Sequence, residues 1–153
     1  MYPIIDDINK RANTNINGEK LQNKTTKALE NVFNKENKVL IAYLFGSHAR
    51  GVQTTKSDID IAILLSENPP KMLEYYLHLI NELSKVLNNE VDLVILNTAP
   101  PLLKHQIIKH GKLVYCKDEK ARIEFEARTH SEYLDFNIAI ARYDKCLIKE
   151  ILA

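Results

Sequence analysis

The sequence predicts an α/β (α+β) fold: a small mixed β-sheet flanked by helices and followed by a long C-terminal helix. Three observations carry that prediction. Short apolar runs with strand composition alternate with stretches of helical periodicity, the pattern of helices packed on a sheet. Pro and Gly fall between the runs rather than inside them. From Glu119 to the end there is neither Pro nor Gly, so that stretch reads as one long helix or a broken pair.

In chain order, residues 1–18 end in the polar run Asn13-Thr14-Asn15-Ile16-Asn17-Gly18 and read as a loose lead-in. From Leu21, the positions Leu21, Thr25, Ala28, Leu29, Val32 and Phe33 recur at helical spacing. Val39 to Phe45 is a continuous apolar run, too short for a good helix and expected to be a strand buried on both faces. Asp58 to Leu65 predicts a second strand, stopped by Asn68-Pro69-Pro70. Leu73, Tyr76, Ile80, Leu83 and Leu87 then step by three and four, which predicts an amphipathic helix with these residues on its inner face. Val91 to Leu96 is a third strand. Pro100-Pro101 opens a short helix to about His110, with Gly111 as its C-terminal cap, and Leu113 to Cys116 reads as a short edge strand.

In the last segment Phe136, Ile140, Tyr143 and Leu147 form one face, while Ile123, Leu134, Ile138 and Ala141 lie partly off it. Two explanations stay open: a helix wrapped by its own domain, or a surface left for a partner.

Length and composition bound the function. The 153 residues fit a single domain, with a core over about 20–116 and a helical segment over about 118–153. Its 21 basic and 20 acidic side chains give a net charge of +1, so no stable nucleic-acid binding by phosphate neutralisation is expected. The start MYPIIDDINKR lacks the pattern of a secretory signal, and no apolar stretch is long enough to span a membrane; a cytoplasmic protein is expected. Cys116 and Cys146 have no CxxC partner, which predicts free thiols, and the five histidines form no HxxxH pair. What remains is carboxylate chemistry.

Gly46-Ser47-His48-Ala49-Arg50-Gly51 follows the first strand directly, and holds two of the four glycines of the chain. A glycine at a strand end lets the backbone turn sharply and approach a ligand, and free amides after it suit a phosphate. The segment is neither a P-loop nor a Rossmann fingerprint, and alone it reads equally as a simple strand-to-helix turn. In the second strand Asp58 and Asp60 are separated by one residue, so both point to the same face, while Ile59, Ile61 and Ile63 pin the other face to the core. Two ionised carboxylates about 5 Å apart repel by roughly 3 kcal/mol at an effective dielectric of 20, which a bound cation relieves. Asp92 stands second in the third strand, a residue type that strands disfavour, and joins the pair if that strand lies beside the second. Three carboxylates without histidine describe a hard-cation site, for magnesium or manganese.

Gly46-Ser47, ten residues, then Asp58-Ile59-Asp60 resembles the G-S-x10-D-x-D signature of the minimal nucleotidyltransferases (MNT) of the polymerase-β-like superfamily, and Asp92 stands where these proteins often carry a third acidic residue. The resemblance covers about Val39 to Leu96. Phe125 to Phe136 resembles, more weakly, the C-terminal helix of bacterial MNT antitoxins. The resemblance implies the nucleotidyltransferase fold, with ATP as substrate and two Mg2+ ions (or Mn2+) held by Asp58 and Asp60. Asp92 would be a further ligand or the base, and Gly46 and Ser47 would bind the β- and γ-phosphates. Arg50, Lys56 and Ser57 are candidate phosphate contacts; His48 is given no role.

Such enzymes are typically paired with a HEPN-family RNase toxin, and transfer AMP to a tyrosine near its R-x4-6-H motif. This chain has Arg122 and His130 one residue too far apart for that motif, so the resemblance implies the antitoxin half of a hetero-oligomer with the toxin. Two other functions stay open: a non-catalytic module that neutralises the toxin by occlusion, and a nucleotidyltransferase for a small molecule or an RNA end.

Overall fold

A computed structural model describes residues 16–46 and 58–152, with side chains described from residue 23. The elements are α1 (Ile16–Lys35), β1 (Val39–Phe45), β2 (Ile59–Leu65), α2 (Met72–Leu87), β3 (Val91–Ile95), α3 (Pro101–His110), β4 (Lys112–Cys116) and α4 (Glu119–Leu152). The four strands form one mixed sheet in the order β3-β2-β1-β4. β1 runs antiparallel to both β2 and β4, and β2 and β3 run parallel, joined by the crossover helix α2.

β1 is buried on both faces because helices cover both sides of the sheet. On one side Leu29 and Phe33 of α1, with Leu79 and Leu83 of α2, pack on Ile59, Ile61, Ile63 and Leu93. On the other, Ile107 and Ile108 of α3 and Phe125 of α4 pack on Ile41, Tyr43 and Ala62. The isoleucines of β2 therefore lock its register, as the alternation predicts.

Several boundaries differ from expectation. α1 begins at Ile16, so Ile16 to Gly18 are helix rather than a loose lead-in, while residues 1–15 lie outside the described residues. In α2, Leu73 is 69% exposed while Leu79 is fully buried: apolar residues occupy several phases of this helix, and the sheet selects among them. Gly111 does end α3, its N–H donating to Ile107 O, but with extended backbone (φ −75°, ψ 165°) rather than a left-handed cap. Its missing side chain is what the site needs, because a Cβ there would overlap Ile107 O. β4 is an edge strand as expected. The last segment is one unbroken helix of 34 residues.

Past the end of β3, the Asn97 side chain continues the ladder. It accepts from Leu65 N at 2.8 Å and donates to Leu65 O at 2.9 Å, replacing a missing strand residue. Asn97→Ala leaves both backbone groups of a 2% exposed residue without these bonds and is expected to cost about 1–3 kcal/mol. Urea unfolding measures this; an unchanged midpoint would refute it.

Between α3 and α4 the His105 ring stacks on Tyr133 at 3.6 Å with 4° between planes, and His130 lies 6.3 Å from His105. The Nδ1 atoms of both histidines and Thr129 Oγ1 are buried without a hydrogen-bond partner among the described residues. Burial holds His105 below the ordinary histidine range, and the neighbouring His130, Lys109 and His110 charges add to the effect. The unfolded chain therefore takes up a proton first as pH falls. Stability is full above about pH 6.5 and declines from there toward the lower folded value. Thermal unfolding is expected to show a midpoint that falls as the pH drops below about 6.5, with a shallower slope in His105→Gln.

Candidate active site

The topology brings Gly46, Asp58, Asp60 and Asp92 to one end of the sheet. Because β1 and β2 are antiparallel, the end of β1 lies beside the start of β2, and Phe45 pairs with Asp60. Because β2 and β3 are parallel, the start of β3 lies there too, and Asp60 pairs directly with Asp92. Neighbouring strands are about 4.8 Å apart, so these two side chains rise side by side. Ladder pairing begins just before, with Ile59 N donating to Glu90 O at 2.9 Å. Asp58, one residue ahead of β2, falls on the same face by alternation.

That face is the one covered farther along by α3 and α4, since Ala62 and Val94, next in phase after Asp60 and Asp92, belong to that core. At the acidic end the cover stops: Asp58 and Asp92 are exposed and Asp60 is half-buried. Among the described residues no three His, Cys, Asp or Glu side chains form a ready-made metal-binding group. The donor set is nonetheless all carboxylate oxygen and open to solvent, which fits a hard divalent cation that keeps some of its water.

Gly46 closes the site from the β1 side. Its φ of 71° lies in the left-handed region, and a Cβ built on it would overlap Asp60 Oδ2, with Asp60 Cγ at 3.0 Å. The glycine is there for two reasons at once: the turn requires the conformation, and the carboxylate occupies the space a side chain would take. Ser47, Arg50, Lys56 and Ser57, with His48, lie outside the described residues.

Sequence reading missed a buried polar network on this same face. Tyr43, paired with Ala62 and one step along the face from Phe45 and Asp60, donates its hydroxyl to Glu126 Oε1 at 2.7 Å. Arg122 donates from Nη1 to both Glu126 oxygens at 3.1 and 3.2 Å, and also binds Glu119. Burial and the Glu126 carboxylate push the Tyr43 hydroxyl far up, and Glu119 and Glu126 hold Arg122 protonated. The available signal was the i, i+4 pair Arg122 and Glu126 on a helix; its tie to Tyr43 is tertiary and had none. Cys116 and Cys146 are free thiols, and burial with a hydrogen bond to Glu119 raises the Cys116 thiol, so it is no activated nucleophile.

A Gly turn abutting paired strand carboxylates on a mixed sheet is the arrangement that the sequence motif predicts for nucleotidyl transfer. Residues 27–120 match the polymerase beta nucleotidyltransferase family. The protein adenylyltransferase MntA of Shewanella oneidensis is 33% identical over 96 residues, 63% of this chain and 67% of MntA. A solved toxin–antitoxin complex with AMP-PNP contains a chain that superposes with a TM-score of 0.62 at 29% identity, covering 86% of this chain and 98% of that one. The complex of a tri-AMPylated Shewanella oneidensis HEPN toxin with its MNT antitoxin gives a TM-score of 0.60 at 25% identity, over 87% and 99% of the two chains. The chain belongs to the polymerase beta nucleotidyltransferase family, is a nucleotidyltransferase, and has the fold that the sequence motif implied.

Proposed function

We infer that this chain is the antitoxin of a HEPN/MNT pair, a Mg2+-dependent adenylyltransferase that moves AMP from ATP to a tyrosine of its cognate HEPN RNase and silences it. The pairing of Asp60 with Asp92 beside the Gly46 turn is the observation that carries this reading. The tyrosine oxygen attacks the α-phosphorus, the bond from that phosphorus to the β-phosphate bridging oxygen breaks, and pyrophosphate leaves with the new O–P bond formed. Asp58 and Asp60 would hold the cations, with Asp92 as a further ligand or as acceptor of the tyrosine proton. Two such ions, when bound, stabilise the entering and leaving oxygens. Gly46 and Ser47 take the β- and γ-phosphates, with Arg50, Lys56 and Ser57 as further phosphate contacts.

A cytoplasmic enzyme fits this reading, and no helix among the described residues is long and apolar enough to cross a membrane. The net charge of +1 counts against an RNA end as acceptor. Occlusion without catalysis is the second reading, favoured by the exposed apolar residues of the distal half of α4. The test is incubation of the chain with labelled ATP, Mg2+ and the toxin. Label on a toxin tyrosine is expected; an unlabelled toxin in the presence of folded enzyme would overturn the reading.

A further inference from the structure

The first half of α4 packs on α3 and the sheet, but every described residue from Leu134 to Leu152 is exposed. At 1.5 Å per residue this overhang is about 28 Å long. Its apolar side chains are more than a solvated helix carries. Thr129 and Tyr133, on the face turned to α3, continue in 4-3-4-3-4 spacing through Phe136, Ile140, Tyr143 and Leu147, of which Phe136 is 39% and Tyr143 65% exposed. That is the heptad spacing of helix-on-helix packing. Leu134, Ile138 and Ile148 form a second apolar line, centred about 140° around the helix from the first at 100° per residue. Lys145 falls within this second line, and Lys149 and Arg142 flank its far edge beside Ile138.

One partner helix covers an arc of about 100°, so it buries one line and leaves the other in water. A second copy of this chain, paired through the same overhang, leaves a line exposed on each copy. The occupant therefore offers two helices with the overhang lying in the groove between them. The first line also extends an interface already made, that of α4 with α3. In addition, α4 leaves from the sheet face that carries Asp60 and Asp92, so a partner gripped there sits on the catalytic side.

We propose that residues 134–152 of α4 are the docking element for the toxin, inserted by its two apolar lines into a two-helix groove of that protein. The inference rests on the function proposed above for the choice of partner. Its test is therefore binding measured by calorimetry without ATP, so that docking stands or falls independently of AMP transfer. Ile140→Asp with Leu147→Asp disrupts the first line, and Ile138→Asp with Ile148→Asp the second; all four residues are exposed, so the fold is expected to survive, as circular dichroism and ATP binding would show. Each pair is expected to weaken toxin binding at least about 100-fold and to raise KM for the toxin with KM for ATP unchanged. Unchanged toxin binding in both pairs overturns the proposal. Loss in only one pair overturns the two-helix groove. A wild-type dimer in sedimentation that the substitutions dissociate, with toxin binding intact, assigns the surface to a second copy instead.

Discussion

Replacing Asp58 and Asp60 together by Asn is expected to lower AMP transfer by at least about a thousand-fold while leaving the chain folded. The direction follows from the donor set. Amide oxygens keep the size of the carboxylates but not their charge, and phosphoryl transfer depends on positioning and charge stabilisation more than on covalent chemistry. A thousand-fold loss is about 4 kcal/mol in the barrier. Stability moves little in comparison, because Asp58 is exposed and Asp60 only half-buried. Labelled ATP gives the transfer rate and thermal unfolding gives the stability. Transfer surviving in a folded double variant would mean that the aspartates do not hold the reaction together. The same variant separates the two readings in cells: if it still protects against the toxin, occlusion is sufficient and transfer is dispensable.

How much of this was legible beforehand depends on whether the cause was local. β1 was, because seven consecutive apolar residues admit few other structures, and β2 was, because Ile59, Ile61 and Ile63 alternate with Asp60 and Ala62. The pairing of Asp60 with Asp92 was legible only as a condition: a strand, a crossover helix and a second strand can form a parallel pair, but the exact register is set by packing of α2. Leu73 was wrongly placed on the inner face of α2, and the buried Leu79 was not named, because Met72, Leu73, Tyr75, Tyr76, Leu77 and Leu79 fill too many phases for periodicity to choose. The Tyr43–Glu126–Arg122 network was invisible, since it joins residues 83 apart. Of the two explanations for the apolar last helix, wrapping by its own domain reaches only to about Tyr133, and every described residue from Leu134 on is exposed.

Gly46→Ala is expected to damage both the fold and the reaction, and a companion variant separates the two effects. A non-glycine residue at φ 71° costs roughly 1–2 kcal/mol. The added Cβ also meets the Asp60 carboxylate, whose Cγ and Cβ stand at 3.0 and 3.4 Å from the ideal position, so the Asp60 carboxylate must leave its place beside the turn. Displacing a reacting group's ligand by about 1 Å costs on the order of 100-fold in rate. Gly46→Ala is therefore predicted to lose several degrees of thermal midpoint and about 100-fold in transfer at a temperature where it is fully folded. Asn tolerates the left-handed conformation better than Ala but still carries a Cβ. Gly46→Asn should accordingly regain part of the lost stability and none of the lost transfer. If transfer instead returned along with stability, the glycine would serve the turn alone, and its contact with Asp60 would have no part in the chemistry.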